Sequence, residues 1–196
     1  MFATALLAPV LSRFGPKIGL LFALVPASGA AFLGIRAAEE SPPHTSSISW
    51  VPTLGIDLSL YVDGLSILFG LLITVLGTMV VIYAAGYFER PQCIGRFYGY
   101  LFAFMGGMLG LVSAGNLLVL YLFWEVTTVS SFLLIGFYNE QETDRENARQ
   151  ALLVTAFGGL ALFAGILLLG QVAGTYEIQA LLNRGEAIRA HPAYPA

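Results

Sequence analysis

Charge is what this chain has least of. Of its 196 residues 11% are charged and 57% are hydrophobic, whereas about a quarter of the residues of a soluble domain are charged. That excludes an ordinary water-soluble globule and points to a chain whose solvent is largely lipid. Cysteine is almost missing too: Cys93 is the only one, so no intrachain disulfide can form, and a short loop beside basic residues suits a reduced thiol. His44 has no second histidine or cysteine near it in sequence, which makes it a solvated loop residue rather than a metal ligand. No basic block suggests nucleic acid, and the formal net charge of -3 says little about partners. The alternating ten-residue segments of a barrel are absent as well. Only helices and closed barrels satisfy the backbone in hydrocarbon, so the expected class is an all-α polytopic membrane protein.

The apolar runs cover residues 2–11, 18–35, 65–88, 98–113, 116–137 and 151–172, which predicts about six transmembrane helices within a membrane domain of residues 1–173. The first run is short for a span, and accommodates by tilt or by drawing its ends inward. It lacks the basic start and small-residue cleavage site of a signal peptide. All nine Lys and Arg residues fall in connections or at helix ends. Arg13 and Lys17, Arg90 and Arg96, and Arg145 and Arg149 occupy three connections on one side, against Arg36 and the tail residues Arg184 and Arg189 on the other. The positive-inside rule then puts the three basic connections in the cytoplasm and the N-terminus outside.

Between the second and third runs the pattern changes. Glu39, Glu40 and a Pro pair stop the helix. Ile56, Leu58, Leu60 and Val62 then alternate with Asp57, Ser59, Tyr61 and Asp63, a period of two. With residues 46–51 before a Pro52–Thr53 turn, this predicts a small external β-hairpin. Residues 174–196 form the expected external surface tail, in which Ile178, Leu181 and Leu182 at helical spacing predict a short amphipathic helix ended by Pro192.

Glu125 stands out against this background. It is the only ionisable carboxylate in the run 116–137 and lies near its centre, close to the bilayer midplane. A carboxylate there costs on the order of 3 kcal/mol on insertion scales, and spanning a bilayer does not require one. It reads as a proton or cation site; the bland alternative is a glutamate that hydrogen-bonds neighbouring helices together. Tyr121 and Thr128, at i-4 and i+3, share its face. Thr127, Ser130 and Ser131 line neighbouring faces and suit helix packing better than a water chain. Trp124 points about 100° away on a helical wheel and reads as packing. Asp63 precedes a long apolar run, which makes it an N-cap favoured by the helix dipole, with a place at the mouth of an ion path as the second reading. Gly106, Gly107 and Gly110 form a G-x-x-x-G pattern for close helix contact, and Gly158–Gly159 read similarly.

Three stretches, YVDGLSILFGLLITVLG, NLLVLYLFWEVTTVSSFLLIGFY and LLVTAFGGLALFAGILLLG with the GTYEI tail, closely resemble the N-terminal part of the A-type subunit of Mrp-type multisubunit Na⁺/H⁺ antiporters. That group is related to the antiporter-like proton-pumping subunits of respiratory complex I. The resemblance implies a bacterial cytoplasmic membrane, multi-pass placement, other membrane subunits as partners, and protons with Na⁺ or another monovalent cation as cargo. It implies a transporter component rather than an enzyme, with no cofactor of its own. Glu125 matches the glutamate of the family's proton path, which the family pairs with a lysine on a following helix. The chain stops where that helix should begin, so the resemblance implies a portion or split form of a larger subunit. Where the complex I relatives often carry an Arg and an Asp, this chain has Ala156 and Gly159, which favours the antiporter branch. Two other functions remain open: an assembly module that docks partner subunits without moving ions, and a proton-translocating component of a complex I-like or membrane hydrogenase assembly.

Overall fold

The computed structural model describes residues 1–12, 21–39, 43–51, 56–88, 91–138 and 140–190. Its elements in chain order are α1 (Phe2–Leu11), α2 (Leu24–Ala38), β1 (His44–Val51), β2 (Ile56–Val62), α3 (Gly64–Tyr87), α4 (Pro91–Val112), α5 (Leu117–Ile135), α6 (Glu142–Ala173), α7 (Ile178–Asn183) and α8 (Gly185–Arg189). Arg13, Lys17, Glu40, the Pro52–Thr53 turn, Arg90 and Pro192, used above, lie outside the described residues.

Three helices, α3, α5 and α6, are long and apolar enough to cross a bilayer, at 24, 19 and 32 residues. Helix α4 has 22 residues, about 33 Å at helical rise, but Arg96, two tyrosines and several glycines dilute its apolar character. Helices α1 and α2, with 10 and 15 residues, are shorter than a full crossing. Helix α6 begins in the polar segment at Glu142, nine residues before the apolar run, and its acidic first turn carries Glu142 and Asp144, the charge that a helix N-terminus favours. It ends at Gly174, whose φ of 68° takes the left-handed cap that glycine adopts without strain.

The outward faces of α3 and α6 expose Leu68, Leu72, Met79, Val154, Phe157 and Leu160, as expected for helices in contact with lipid. The packed core lies between α1, α3 and α4, around the fully buried Tyr98, Phe102, Ile94 and Val81. Tyr98 solves its one polar problem by donating its hydroxyl to the Val81 carbonyl at 2.9 Å.

Glycine decides how closely the helices approach. A Cβ on Gly107 of α4 would stand 2.9 Å from the Thr127 methyl of α5, and one on Gly110 would overlap the Phe123 ring. Gly106, on another face, looks at Phe2 of α1 from 3.0 Å. The G-x-x-x-G pattern therefore serves two interfaces within the chain.

The two ends of the bundle differ. At one, β1 and β2 pair antiparallel from His44↔Val62 to Val51↔Ile56, with an irregularity after Ser49. The hairpin then locks onto the α4–α5 connection: the Tyr61 amide donates to Ser113 O at 2.7 Å and the Gly115 amide to Ser59 O at 2.9 Å. The tail joins the same knot, since the Leu117 amide donates to Tyr176 O and the Ile178 amide to Gly115 O, both at 2.9 Å. At its centre the Glu177 carboxylate accepts from Ser59 Oγ at 2.9 Å and from Asn116 Nδ2 at 2.7 Å. Asn116 also caps α5, its Oδ1 accepting from the Leu118 amide at 2.8 Å. Leu181 of α7 is buried while Leu182 is 70% exposed, so α7 docks through Leu181, and the expected single tail helix is two short ones, α7 and α8.

At the other end, Phe88, Phe97, Phe137 and Tyr138 form an aromatic layer, with Phe137 edge-to-face against the other three and Phe88 tilted on Phe97. Arg96 lies over the Phe137 ring at 4.8 Å and donates to its carbonyl at 3.0 Å, closing the C-terminal end of α5.

Two outcomes test this packing. Glu177→Ala should cost about 2 kcal/mol locally and speed hydrogen exchange at Leu117 and Ile178 roughly 30-fold; unchanged exchange would show that the carboxylate does not hold the knot. Gly110→Ala should lower unfolding stability in mixed micelles by about 1–3 kcal/mol, whereas Gly34→Ala, which meets nothing within 4 Å, should not.

Candidate functional site

Glu125 lies on α5, half-buried between two neighbours of different character. On one side a groove of about 380 Å³ opens between α4 and α5, lined by Tyr100, Ala103, Leu122, Val126, Val129 and Leu133. Its walls are almost wholly apolar, so the carboxylate is the strongest polar group facing it. On the other side α6 passes at Gly159. A Cβ there would lie 2.8 Å from Glu125 Oε1, so the carboxylate rests against a helix surface that is open only because residue 159 has no side chain.

Tyr121, one turn earlier, shares this face. Its ring stacks on Phe163 of α6 with centroids 4.6 Å apart. Thr128 is buried at 6% exposure, three residues after Glu125. Thr127 and Ser130 are spent locally: Thr127 Oγ1 donates to the Trp124 carbonyl at 2.7 Å and Ser130 Oγ to the Val126 carbonyl at 2.6 Å. Such back-bonding satisfies hydroxyls inside their own helix.

Asp63 stands elsewhere. It caps α3, accepting from the Ser66 amide at 2.8 Å and the Ser66 hydroxyl at 2.9 Å. The Ser66 amide holds its carboxyl below the ordinary carboxylate value, more than the opposing effect of partial burial. Ser66 also donates to Val112 O at 2.7 Å, which ties the cap to α4. Asp63 thus belongs to the hairpin end and is not brought to Glu125. No group of three His, Cys, Asp or Glu residues suited to a metal ion occurs among the described residues.

Two features escaped the sequence. The Ser59–Asn116–Glu177 cluster joins residues 118 apart, and none of the three carried a signal beyond ordinary loop polarity. Trp124 reads as packing on a wheel, yet its buried Nε1 has no hydrogen-bond partner among the described residues and lies 3.5 Å from the position of a Cβ at 159. The adjacent Glu125 carboxylate meets the same point.

Comparison with known proteins bears on this arrangement. Residues 48–98 match the family described as NADH-ubiquinone oxidoreductase (complex I), chain 5 N-terminus, and residues 114–192 match NADH:quinone oxidoreductase/Mrp antiporter, TM. The A1 subunit of a Na(+)/H(+) antiporter of Staphylococcus haemolyticus is 39% identical over 97% of this chain and 24% of its own length. The A/B subunit of a probable K(+)/H(+) antiporter of Rhizobium meliloti is 46% identical over 75% of this chain and 15% of its own. Among solved structures, a chain of the Mrp complex from Dietzia sp. superposes with a TM-score of 0.86 at 30% identity, covering 98% of this chain and 21% of that one. The chain therefore spans about a quarter or less of the length of these relatives. With both family matches, the curated relatives and the fold in agreement, the chain belongs to the family of antiporter-like membrane subunits shared by Mrp antiporters and respiratory complex I.

Proposed function

We propose that this chain is a membrane portion of a multisubunit monovalent cation/proton antiporter and that Glu125 carries protons within it. The observation that supports this reading is the placement of Glu125: a carboxylate in the middle of α5, facing an apolar groove and the bare backbone of α6. Nothing about packing α5 calls for a charge there, since Gly107 and Gly110 already seat the helix by close contact. A carboxylate so placed can take a proton from one side and release it to the other when its surroundings alternate. Tyr121, one turn before Glu125 and stacked on Phe163, is the supporting polar residue, with the buried Thr128 three residues after Glu125. Asp63 serves as an α3 cap, with any role in ion entry confined to the hairpin end.

Na⁺ as the exchanged cation follows the name of the Staphylococcus haemolyticus relative; the Rhizobium meliloti relative is named for K⁺. The chain itself holds no Lys, Arg or His at the centre of its long apolar helices. Under this reading a positive group that alternately approaches and leaves Glu125 completes the site. Other membrane subunits or segments are the natural source.

Orientation belongs to the same reading. Arg96, Arg145 and Arg149 stand at the end opposite the hairpin, and that end faces the cytoplasm under the positive-inside rule.

Two experiments bear on it. Glu125→Gln, which keeps volume and hydrogen bonding while removing the titratable proton, should lower cation-driven pH change in vesicles carrying the complete assembly by about a hundredfold or more. Wild-type rates at normal expression would end the proton-site reading. Cys93, half-exposed at the start of α4, should react with an impermeant thiol reagent in inverted vesicles but not in intact cells; labelling from outside would reverse the orientation.

A further inference from the structure

The unpartnered Trp124 indole is a polar group with a place to act but no acceptor among the described residues. Its Nε1 is buried and makes no hydrogen bond among the described residues. A buried donor left without a partner is rare in folded proteins, so each instance points to a partner of another state or to a bridging water. Gly159 marks a point that the indole shares with a carboxylate. The position where a Cβ at 159 would stand is 3.5 Å from Trp124 Nε1 and 2.8 Å from Glu125 Oε1. Trp124 and Glu125 are consecutive residues, about 100° apart on a helix, yet both side chains reach the one notch that α6 leaves open.

We propose that the Trp124 indole N–H is the hydrogen-bond donor to the Glu125 carboxylate after proton release, with Gly159 leaving the space in which the two meet. The chemistry gives the pairing a direction. An ionised carboxylate only accepts, with room for several donors, whereas a protonated one carries an O–H of its own. An N–H donating to an anionic oxygen forms a bond roughly twice as strong as one to a neutral acceptor. The indole bond therefore forms on proton loss and loosens on proton uptake, without any net charge entering the site from this chain. Trp124 acts as a positioning residue here: it transfers no proton and holds the carboxylate in its charged form.

The other titratable groups facing Glu125 are few. Tyr121 lies on its own helix and Tyr100 across the groove on α4. Helix α6 offers only Gly159 at this level, because Glu142, Asp144, Arg145, Glu146 and Arg149 occupy its first turns, about 15 Å or more away along the axis.

This inference rests on Glu125 being the proton site, and the test separates the two claims. The probe is the full 196-residue chain in lipid nanodiscs carrying Trp50→Phe, which leaves Trp124 as the sole indole of the two tryptophans. Ultraviolet resonance Raman spectra of the indole N–H hydrogen-bond marker are recorded across pH. The band should move between two plateaus, and the movement should vanish in Glu125→Gln and in Gly159→Ala, the latter keeping both partners while filling the notch. Trp124→Phe should in turn shift the infrared carboxyl band of Glu125. An indole band that ignores both pH and Glu125→Gln would overturn the pairing even if Glu125→Gln abolishes transport in the complete assembly. Normal transport in Glu125→Gln with a responsive indole band would instead overturn the proton-site reading and leave the pairing in place.

Discussion

Helix α5 is held between glycine surfaces on two neighbours, and the rest of the site follows from that closeness. Gly107 and Gly110 of α4 admit Thr127 and Phe123 from one side, and Gly159 of α6 admits Glu125 and Trp124 from another. Lipid tails are as apolar as leucine, so burial of hydrophobic surface does not draw helices together in a bilayer. Close van der Waals approach does, and it needs residues without bulk. Large side chains at these three positions would push α5 away from both partners, and Glu125 would face lipid or water instead of a backbone.

The ends of α5 are anchored by different chemistry. At the hairpin end, irregular backbone from three segments meets: β2, the α4–α5 connection and the tail. Each has amides and carbonyls that must be satisfied. They bond one another, and the Glu177 carboxylate, with no basic partner in contact among the described residues, draws neutral donors from Ser59 and Asn116. At the opposite end Arg96 takes the Phe137 carbonyl within an aromatic layer, a composition typical of the membrane–water boundary. Glu125 sits between these anchors, on a helix fixed at both ends.

Much of this was legible beforehand, element by element. The period of two in residues 56–63 announced β2, and the register in which Leu58 faces Ile48 shows it paired with β1. Asp63 before an apolar run read as an N-cap and is one. The preference of Thr127 and Ser130 for helix packing over a water chain agrees with their bonds to carbonyls of their own helix. Helix starts were less legible. Helix α6 begins at Glu142 and α4 at Pro91, because polar residues at a membrane helix end extend it into water at no penalty, and hydropathy does not register them.

Composition and pattern by themselves determined the solvent, the helical class, the paired strands and the position of Glu125 along its apolar run. Each of these depends on local quantities: the transfer cost of a side chain, the period of a run, the distance along a helix. The tertiary structure alone decided what stands beside Glu125 and what ties the tail to the hairpin. Gly159, Trp124 and Glu125 converge, as do Ser59, Asn116 and Glu177, only once helices have packed and turned to particular rotations about their axes. Those rotations are set by the fit of small residues against large ones across helices, a property of pairs of segments that no single stretch of sequence contains.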